Sequence, residues 1–173
     1  LVSRGDDVVV YGSISDPSNL KSVEGRVKLE KGDILDRQRL LDVVKRYGVE
    51  KVVHTSAIGW RGTSVQEPVK TVEVNVVGSL NVYEVARTLK VKRVVGFSTV
   101  WVYGKTMREP VDEDHPCNPS SPYAISKFAA ESMGLWYHQA YGVDFISVRP
   151  SSVYGPRLRS GYAPILMLEN AIN

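Results

Sequence analysis

The strongest constraint on the fold is a series of short, almost continuously apolar runs that are rich in valine and isoleucine. These runs cover Asp6–Tyr11, Glu50–Thr55, Lys92–Ser98 and Val143–Arg149. Strands that are apolar on both faces are typical of parallel sheets covered by helices. The chain is therefore predicted to fold as an α/β domain with a doubly wound parallel sheet.

Helical patterns fill the segments between these runs. Three helices are predicted, at Arg37–Tyr47, Val69–Leu89 and Ser121–Tyr141. Gly48 and Gly142 directly follow the first and third helix, at the position where a helix commonly ends in a left-handed residue. Helices of this length suit the crossovers that parallel strands require.

Three other segments give weaker signals. Met107–Pro122 contains four prolines and is predicted to be a loop, because proline at this density cannot continue a helix. Leu1–Tyr11 reads as the end of a helix that passes directly into the first strand. Ala163–Asn173 begins a further helical pattern.

The composition limits the classes of function. A length of 173 residues with 43% hydrophobic content suits a single domain over residues 1–173. The net charge of +3 comes from scattered Lys and Arg, so no nucleic-acid partner is expected. Cys117 is the only cysteine, which fits a cytoplasmic setting, and no metal site is expected. The sequence has no run of about 20 apolar residues, so no membrane partner is expected.

The best catalytic candidates are Tyr123 and Lys127 in the segment SPYAISK. Residues four apart on a helix lie on one face, so the ammonium can sit near the phenol. A nearby positive charge favours the phenolate, which is the form that acts as a base. Tyr47 and Lys51 have the same spacing, but Gly48 interrupts the helix between them, and Tyr47 is interpreted as a structural residue at the helix end.

The surroundings of Tyr123 strengthen this assignment. FSTVWVYG, at residues 97–104, follows one predicted strand, and VRPSSVYGPR, at residues 148–157, follows another. Ligands of doubly wound sheets bind beyond the carboxyl ends of the strands. The three segments are therefore expected to converge on one cleft.

These three ordered motifs resemble those of the extended short-chain dehydrogenase/reductases, the NAD-dependent epimerase/dehydratase family. The resemblance covers Gly5 to Arg157 and implies a Rossmann-like domain that lacks the family's first strand and most of its C-terminal substrate lobe. It implies NAD or NADP as cofactor and a nucleotide sugar as substrate. It makes Thr99, Tyr123 and Lys127 the catalytic group: Thr99 bonds the reacting oxygen, Tyr123 is the acid/base, and Lys127 binds the nicotinamide ribose.

The same resemblance implies the remaining site residues. The cofactor-binding set is Asp33, Ile34, Ser56, Ala57, Ser98, Tyr123, Lys127, Pro150 and Ser151, and the substrate-binding set is Thr99, Ser152 and Arg157. It gives Asn75 an architectural role near the site, whereas His54 is interpreted as a packed strand residue. It also implies that the helices at Val69–Leu89 and Ser121–Tyr141 can form a homodimer interface.

The chain departs from the family pattern in two places. Dehydratases of the family carry Asp-Glu after the catalytic Thr, whereas here Thr99 precedes Val100 and Trp101, which cannot move a proton. An epimerase or a reductase is therefore preferred. NAD-specific relatives place an Asp where this chain has Gly12, which leaves NADP open, with Ser13, Ser15 or Lys21 as contacts for its 2′-phosphate.

The chain contains no G-x-G-x-x-G segment, the turn that normally holds the pyrophosphate. It is therefore expected to be truncated at both ends or to be a remnant. Two other functions stay open at this point. One is a catalytically incomplete dinucleotide sensor or scaffold, and the other is a reductase of a non-sugar carbonyl of the hydroxysteroid or flavonoid type.

Overall fold

The computed structural model describes residues 1–14, 17–59 and 61–153. All five of its strands pair in parallel, in two sheets. β1 (Val8–Gly12) pairs with β2 (Val27–Lys31), with Val8 opposite Val27. β3 (Lys51–His54), β4 (Arg93–Phe97) and β5 (Phe145–Val148) form the second sheet in that order. The predicted parallel α/β architecture is confirmed, and within the described residues it is divided between two sheets.

The three predicted helices are present. α1 is Arg37–Arg46, α2 is Arg61–Gln66, α3 is Pro68–Val72, α4 is Gly78–Leu89 and α5 is Pro122–Tyr141. Asp36 caps α1 by accepting from the Arg39 backbone N–H at 2.9 Å, and Gly142 ends α5 with φ of 70°. In the described part of the chain, no helix has the length and apolar character needed to cross a bilayer.

The strand β2 is absent from the sequence prediction. Its residues VKLEK alternate apolar and charged side chains, and therefore lack the continuous apolar run that marks the other strands. Glu30 nevertheless faces inward and is buried. Its carboxylate accepts from Arg39 at 2.6 Å, from Arg46 at 2.9 Å and from the Tyr47 hydroxyl at 2.8 Å. These partners compensate the buried charge and dock α1 on β2.

The predicted helix Val69–Leu89 is present but is not regular. Between α3 and α4 the chain makes a π-helical turn over Glu73–Val77, in which the Gly78 N–H donates to the Glu73 carbonyl. A π turn inserts one extra residue into the helical register and is common at functional sites. The segment Leu1–Tyr11 was predicted to begin with the end of a helix. It instead contains one 3₁₀ turn, Val2–Arg4, before β1.

The core of the second sheet centres on Phe145, the first residue of β5. Its ring packs edge-on to Tyr83 of α4, with ring centroids 5.3 Å apart. The ring occupies a notch formed by Gly96 of β4 and Gly134 of α5, because a Cβ at either glycine would lie within 3 Å of ring carbons. Glycine at these two positions therefore lets α5 lie close to the sheet.

This notch gives a stability prediction. Gly134→Ala is expected to lower the free energy of unfolding by about 1–3 kcal/mol, because the added methyl collides with the Phe145 ring. Helix propensity alone would favour alanine by about 1 kcal/mol, so the sign separates the two effects. Urea unfolding measures the change.

Ser132→Ala, on the exposed face of the same helix, serves as the control and should change stability by less than about 0.5 kcal/mol. Phe145→Leu in the Gly134→Ala background should recover part of the loss. A Gly134→Ala protein as stable as wild type would contradict the packing described.

Candidate active site

The Thr99 segment follows β4 and continues beside the chain that leaves β5. The Ser98 N–H donates to the Val148 carbonyl at 2.8 Å, and the Val100 N–H donates to the Pro150 carbonyl at 3.2 Å. Thr99 is buried, and its Oγ1 accepts from the Trp101 N–H at 3.3 Å, which caps the 3₁₀ turn Val100–Tyr103. The hydroxyl is thus fixed at the carboxyl ends of two neighbouring strands, as the sequence predicts.

Tyr123 and Lys127 lie in the first two turns of α5. The helix starts where it does because Ser121 Oγ accepts from the Ala124 N–H at 3.2 Å and Pro122 occupies the first helical position. Tyr123 is partly exposed, whereas Lys127 retains only 4% of its surface. α5 packs against the 3₁₀ turn that Thr99 caps, so the structure brings the three predicted catalytic residues to one end of the sheet.

Lys127 lines an inner cavity of about 10 Å³, the size of a single water molecule. The polar residues of this inner cavity are His54, Ser79, Ser98, Ser147 and Glu131, and they lie beside apolar and aromatic residues that include Phe97 and Phe145. Burial lowers the pKa of Lys127 to about 8, and the nearby Glu131 carboxylate opposes part of that shift.

His54 is a packed strand residue, as expected. Its Nε2 lies 2.8 Å from Ser79 Oγ, and that hydroxyl donates to the Asn75 carbonyl at 2.6 Å. Because the Ser79 hydroxyl proton is used in this bond, Ser79 Oγ accepts a proton from the imidazole. The imidazole proton is therefore assigned to Nε2. Burial, and to a lesser extent the charge of Lys127, lowers the pKa of His54 to about 4, so the ring is neutral at pH 7.

Asn75, in the π turn, ties three segments together. Its Oδ1 accepts from the Ile58 N–H at 2.7 Å, and its Nδ2 donates to the Ile58 carbonyl at 3.2 Å and to Ser126 Oγ at 2.9 Å. The amide therefore fixes the segment after β3 against the helix that carries Tyr123 and Lys127. The architectural role expected of Asn75 is confirmed.

An open pocket of about 480 Å³ lies beyond the ends of β1 and β2. The predicted residues Asp33, Ile34 and Ser56 line it, together with Gly12 and Ser13. Sequence reasoning missed three more lining residues, Tyr11, Lys31 and Val74. The pocket is large enough to accept an adenosine-sized group.

The glycine of the GDI segment has a steric reason. A Cβ on Gly32 would overlap the Tyr11 ring, whose hydroxyl donates to the Asp33 carbonyl at 2.8 Å. Asp33 Oδ1 accepts from the Leu35 N–H at 2.9 Å, so this carboxylate also holds the turn. Asn81 of α4 donates to the Ile34 carbonyl at 3.0 Å and fixes the same turn to the helix layer.

The other predicted site residues are more dispersed. Ser98 faces the inner cavity at Lys127 and does not line the open pocket. Ala57 and Pro150 are half-buried, while Ser151 and Ser152 are exposed at the end of the described chain. Arg157 and Ser15 lie outside the described residues. Lys21 is exposed in the 3₁₀ turn Ser18–Val23 and is not part of the pocket lining.

Two charged residues of the site were not predicted. Glu131 lies one helical turn after Lys127, and Arg149 stands in the VRP segment that follows β5. Their side chains form a bidentate pair, with Arg149 Nη2 2.6 Å and Nε 3.0 Å from Glu131 Oε1. The spacing of Lys127 and Glu131 was a usable signal, because residues four apart on a helix share a face.

Comparison with known proteins shows the family. Residues 1–171 match the model of the NAD dependent epimerase/dehydratase family, and the chain belongs to that family. It is 36% identical over 162 residues to a UDP-glucose 4-epimerase of Mycolicibacterium smegmatis, covering 91% of this chain and 51% of the relative. It is 35% identical over 125 residues to a UDP-glucuronate 4-epimerase of Thermodesulfobacterium geofontis, covering 72% and 38%.

Solved structures agree with this assignment. A UDP-glucose 4-epimerase of Thermus thermophilus in complex with NAD superposes with a TM-score of 0.86 at 31% identity, covering 97% of this chain and 55% of that one. DesIV, a dTDP-glucose 4,6-dehydratase of Streptomyces venezuelae with NAD bound, superposes with a TM-score of 0.88 at 31% identity, covering 96% and 53%. The chain spans about half the length of the relatives it matches.

The buried imidazole gives a pH prediction. In the unfolded chain His54 has the ordinary histidine pKa of 6.5, so it is protonated below that pH. In the folded chain its pKa is about 4, so it becomes protonated only near pH 4. The free energy of unfolding should therefore fall as the pH drops from about 6.5 toward 4, by on the order of 3 kcal/mol from this residue. Urea unfolding between pH 4 and 8 measures the slope.

His54→Gln should remove that component, so the difference between the wild-type and variant slopes isolates it from the carboxylates that titrate nearby. Equal slopes in the two proteins would show that His54 takes up its proton in the folded state at an ordinary pH.

Proposed function

We propose that the protein is an NAD(P)-dependent epimerase of a nucleotide-activated sugar. The observation that carries this proposal is the placement of Thr99, Tyr123 and Lys127 at the carboxyl ends of β4 and β5. Membership of a family that contains UDP-sugar epimerases supports it. Val100 and Trp101 cannot act as acid or base, which favours epimerisation or reduction over the elimination of water.

Tyr123, Thr99 and Lys127 each have a separate role in the proposed reaction. The Tyr123 phenolate takes the proton of a sugar hydroxyl, and the Thr99 hydroxyl bonds the same oxygen. The Lys127 ammonium, one turn away, favours the phenolate electrostatically while it remains charged. A nicotinamide cofactor bound beside Tyr123 and Lys127 would supply reversible hydride transfer, the chemistry that inversion at a hydroxyl-bearing carbon requires.

The residues of the open pocket fit the adenosine half of such a cofactor. Gly12 leaves open space, since nothing lies within 4 Å of a Cβ built there, and Ser13, Asp33 and Ser56 supply polar groups. A cofactor with or without a 2′-phosphate is compatible with Gly12. Relatives from Brucella ovis and Thermus thermophilus form crystal complexes with NAD, which supports a dinucleotide cofactor for this chain.

Tyr123→Phe tests the mechanism. Turnover of UDP-glucose to UDP-galactose by the protein as its gene encodes it should fall by about 10²–10⁴-fold, because the general acid/base is lost. Tyr47→Phe is the matched control, since Tyr47 has the same spacing to a lysine but bonds Glu30 at the end of α1. Its turnover should equal that of wild type.

Undiminished turnover in Tyr123→Phe would refute the mechanism. Binding of NAD or NADP without turnover of any UDP-sugar would instead support the dinucleotide-sensor hypothesis. Turnover of a hydroxysteroid or flavonoid carbonyl in place of a sugar would support the third hypothesis.

We also propose that the protein forms homodimers through α3, α4 and α5. α3 packs against α5, and Val69 and Ile125 on these helices remain 82% and 50% exposed. Apolar side chains exposed on neighbouring helices favour burial against a partner. Light scattering should give twice the monomer mass at working concentration, and a monomer would contradict the proposal.

A further inference from the structure

The inference concerns the charge of Lys127 and rests on the proposed function. The pattern Tyr123–Lys127 requires an ammonium, yet the lysine has only 4% of its surface exposed. Burying an uncompensated ammonium is costly, and such a group tends to lose its proton. The structure must therefore contain a group that keeps this lysine charged.

The titratable groups around Lys127 come from several elements. β3 contributes His54 and α4 contributes Tyr83, and both are neutral at pH 7, since burial lowers the pKa of His54 to about 4 and raises that of Tyr83. α5 contributes Tyr123 one turn before and Glu131 one turn after. β4, the residue that follows it and β5 contribute no charged side chain to the cavity lining, which there consists of Gly96, Phe97, Ser98, Phe145 and Ser147. Among the described residues that line the inner cavity, Glu131 is the one carboxylate.

Glu131 is itself held in place. It is 5% exposed, and Arg149 grips both of its oxygens, with Nε 3.2 Å from Oε2 in addition to the two bonds to Oε1. The same guanidinium donates to the Tyr103 hydroxyl at 2.9 Å and to the Glu113 carbonyl at 3.2 Å. Arg149 therefore fixes the Glu131 carboxylate in place. It also offsets part of the negative charge that would otherwise stabilise the Lys127 ammonium.

We propose that Glu131, fixed by Arg149, is a positioning residue that keeps the Lys127 ammonium charged inside the site. Removing the carboxylate leaves the buried Lys127 ammonium and the half-buried Arg149 guanidinium without a nearby negative charge, so Lys127 gives up its proton more readily. Removing the guanidinium leaves the carboxylate to Lys127 alone, so the lysine holds its proton more tightly. The two substitutions act in opposite directions.

Opposite directions separate this role from a merely structural one. If either substitution only loosened the packing, water would enter and the lysine would regain an ordinary solvated environment. Both variants would then move Lys127 toward its normal titration near pH 10.5. A fall in Glu131→Gln is the outcome that loosening cannot produce.

The experiment is a pH titration of the whole chain labelled with ¹³C at the lysine ε-carbons, followed by NMR. The Lys127 signal is identified by its loss in Lys127→Arg. In wild type the midpoint should lie near 8. In Glu131→Gln it should fall by about 1 pH unit, in Arg149→Met it should rise by a similar amount, and in Arg149→Lys it should stay near wild type.

Glu50→Gln is the matched control, because it breaks an exposed pair with Lys92 and should leave the Lys127 midpoint unchanged. If Glu131→Gln does not fold, the double variant Glu131→Gln/Arg149→Met is compared with Arg149→Met, since these two proteins differ only in the carboxylate, and the double variant should give the lower midpoint. A midpoint in Glu131→Gln that is unchanged or raised relative to wild type, or one in the double variant that is unchanged or raised relative to Arg149→Met, would overturn the proposal.

The titration uses neither cofactor nor substrate. If the Lys127 midpoint does not fall in Glu131→Gln but turnover depends on Tyr123, the role of Glu131 is rejected and the proposed function is retained. If Tyr123→Phe has the same turnover as wild type, the proposed function is rejected, whatever the titration gives.

Discussion

Burial of one ammonium group constrains much of this molecule. Lys127 is buried one helical turn after Tyr123, and the inner cavity that it lines contains the polar side chains of His54, Ser79 and Glu131 as well as aromatic ones. His54, Ser79 and Glu131 occupy positions where apolar side chains would otherwise pack. The aromatic packing of Phe145 and Tyr83 begins directly beside this polar region and supplies the apolar burial that stabilises it.

The buried polar groups also form a connected set of supports. Arg149 joins β5 to α5 through Glu131 and reaches the turn after β4 through Tyr103, over whose ring its guanidinium lies at 4.9 Å. Asn75 joins the same helix to the segment after β3. The end of the sheet that carries Thr99, Tyr123 and Lys127 is therefore held by side chains that join β5, α5, the turn after β4 and the segment after β3, so its geometry does not depend on a single loop.

The sequence was most informative where a physical signal is local. Continuous apolar runs located four of the five described strands, and the glycines after α1 and α5 located the helix ends. β2 was missed because its inward Glu30 is compensated by residues of another element, which no local pattern records. Arg149 was missed for the same reason, since its bond to Glu131 joins residues 18 apart in the chain, whereas Glu131 could have been found from its spacing of four residues from Lys127.

The candidate site divides in the same way. Thr99, Tyr123 and Lys127 were found from motif order, and the structure places them together. The open pocket was anticipated from the GDI segment at residues 32–34, but Tyr11 and Lys31 came from the tertiary arrangement of β1 and β2. Ser98 lines the inner cavity with Lys127 and not the open pocket, and its cofactor-binding role stays a prediction.

The π turn at Glu73–Val77 has a consequence for how this helix can change in evolution. Each residue of an α-helix rotates its side chain by about 100°, so the extra residue sets the faces before and after Asn75 out of phase. Deleting one valine there would give a regular helix with more ordinary hydrogen bonds. The amide of Asn75 would then point away from Ile58 and Ser126. A lineage that lost this π turn would gain a more regular helix and lose the hydrogen bonds of Asn75 that align its candidate site.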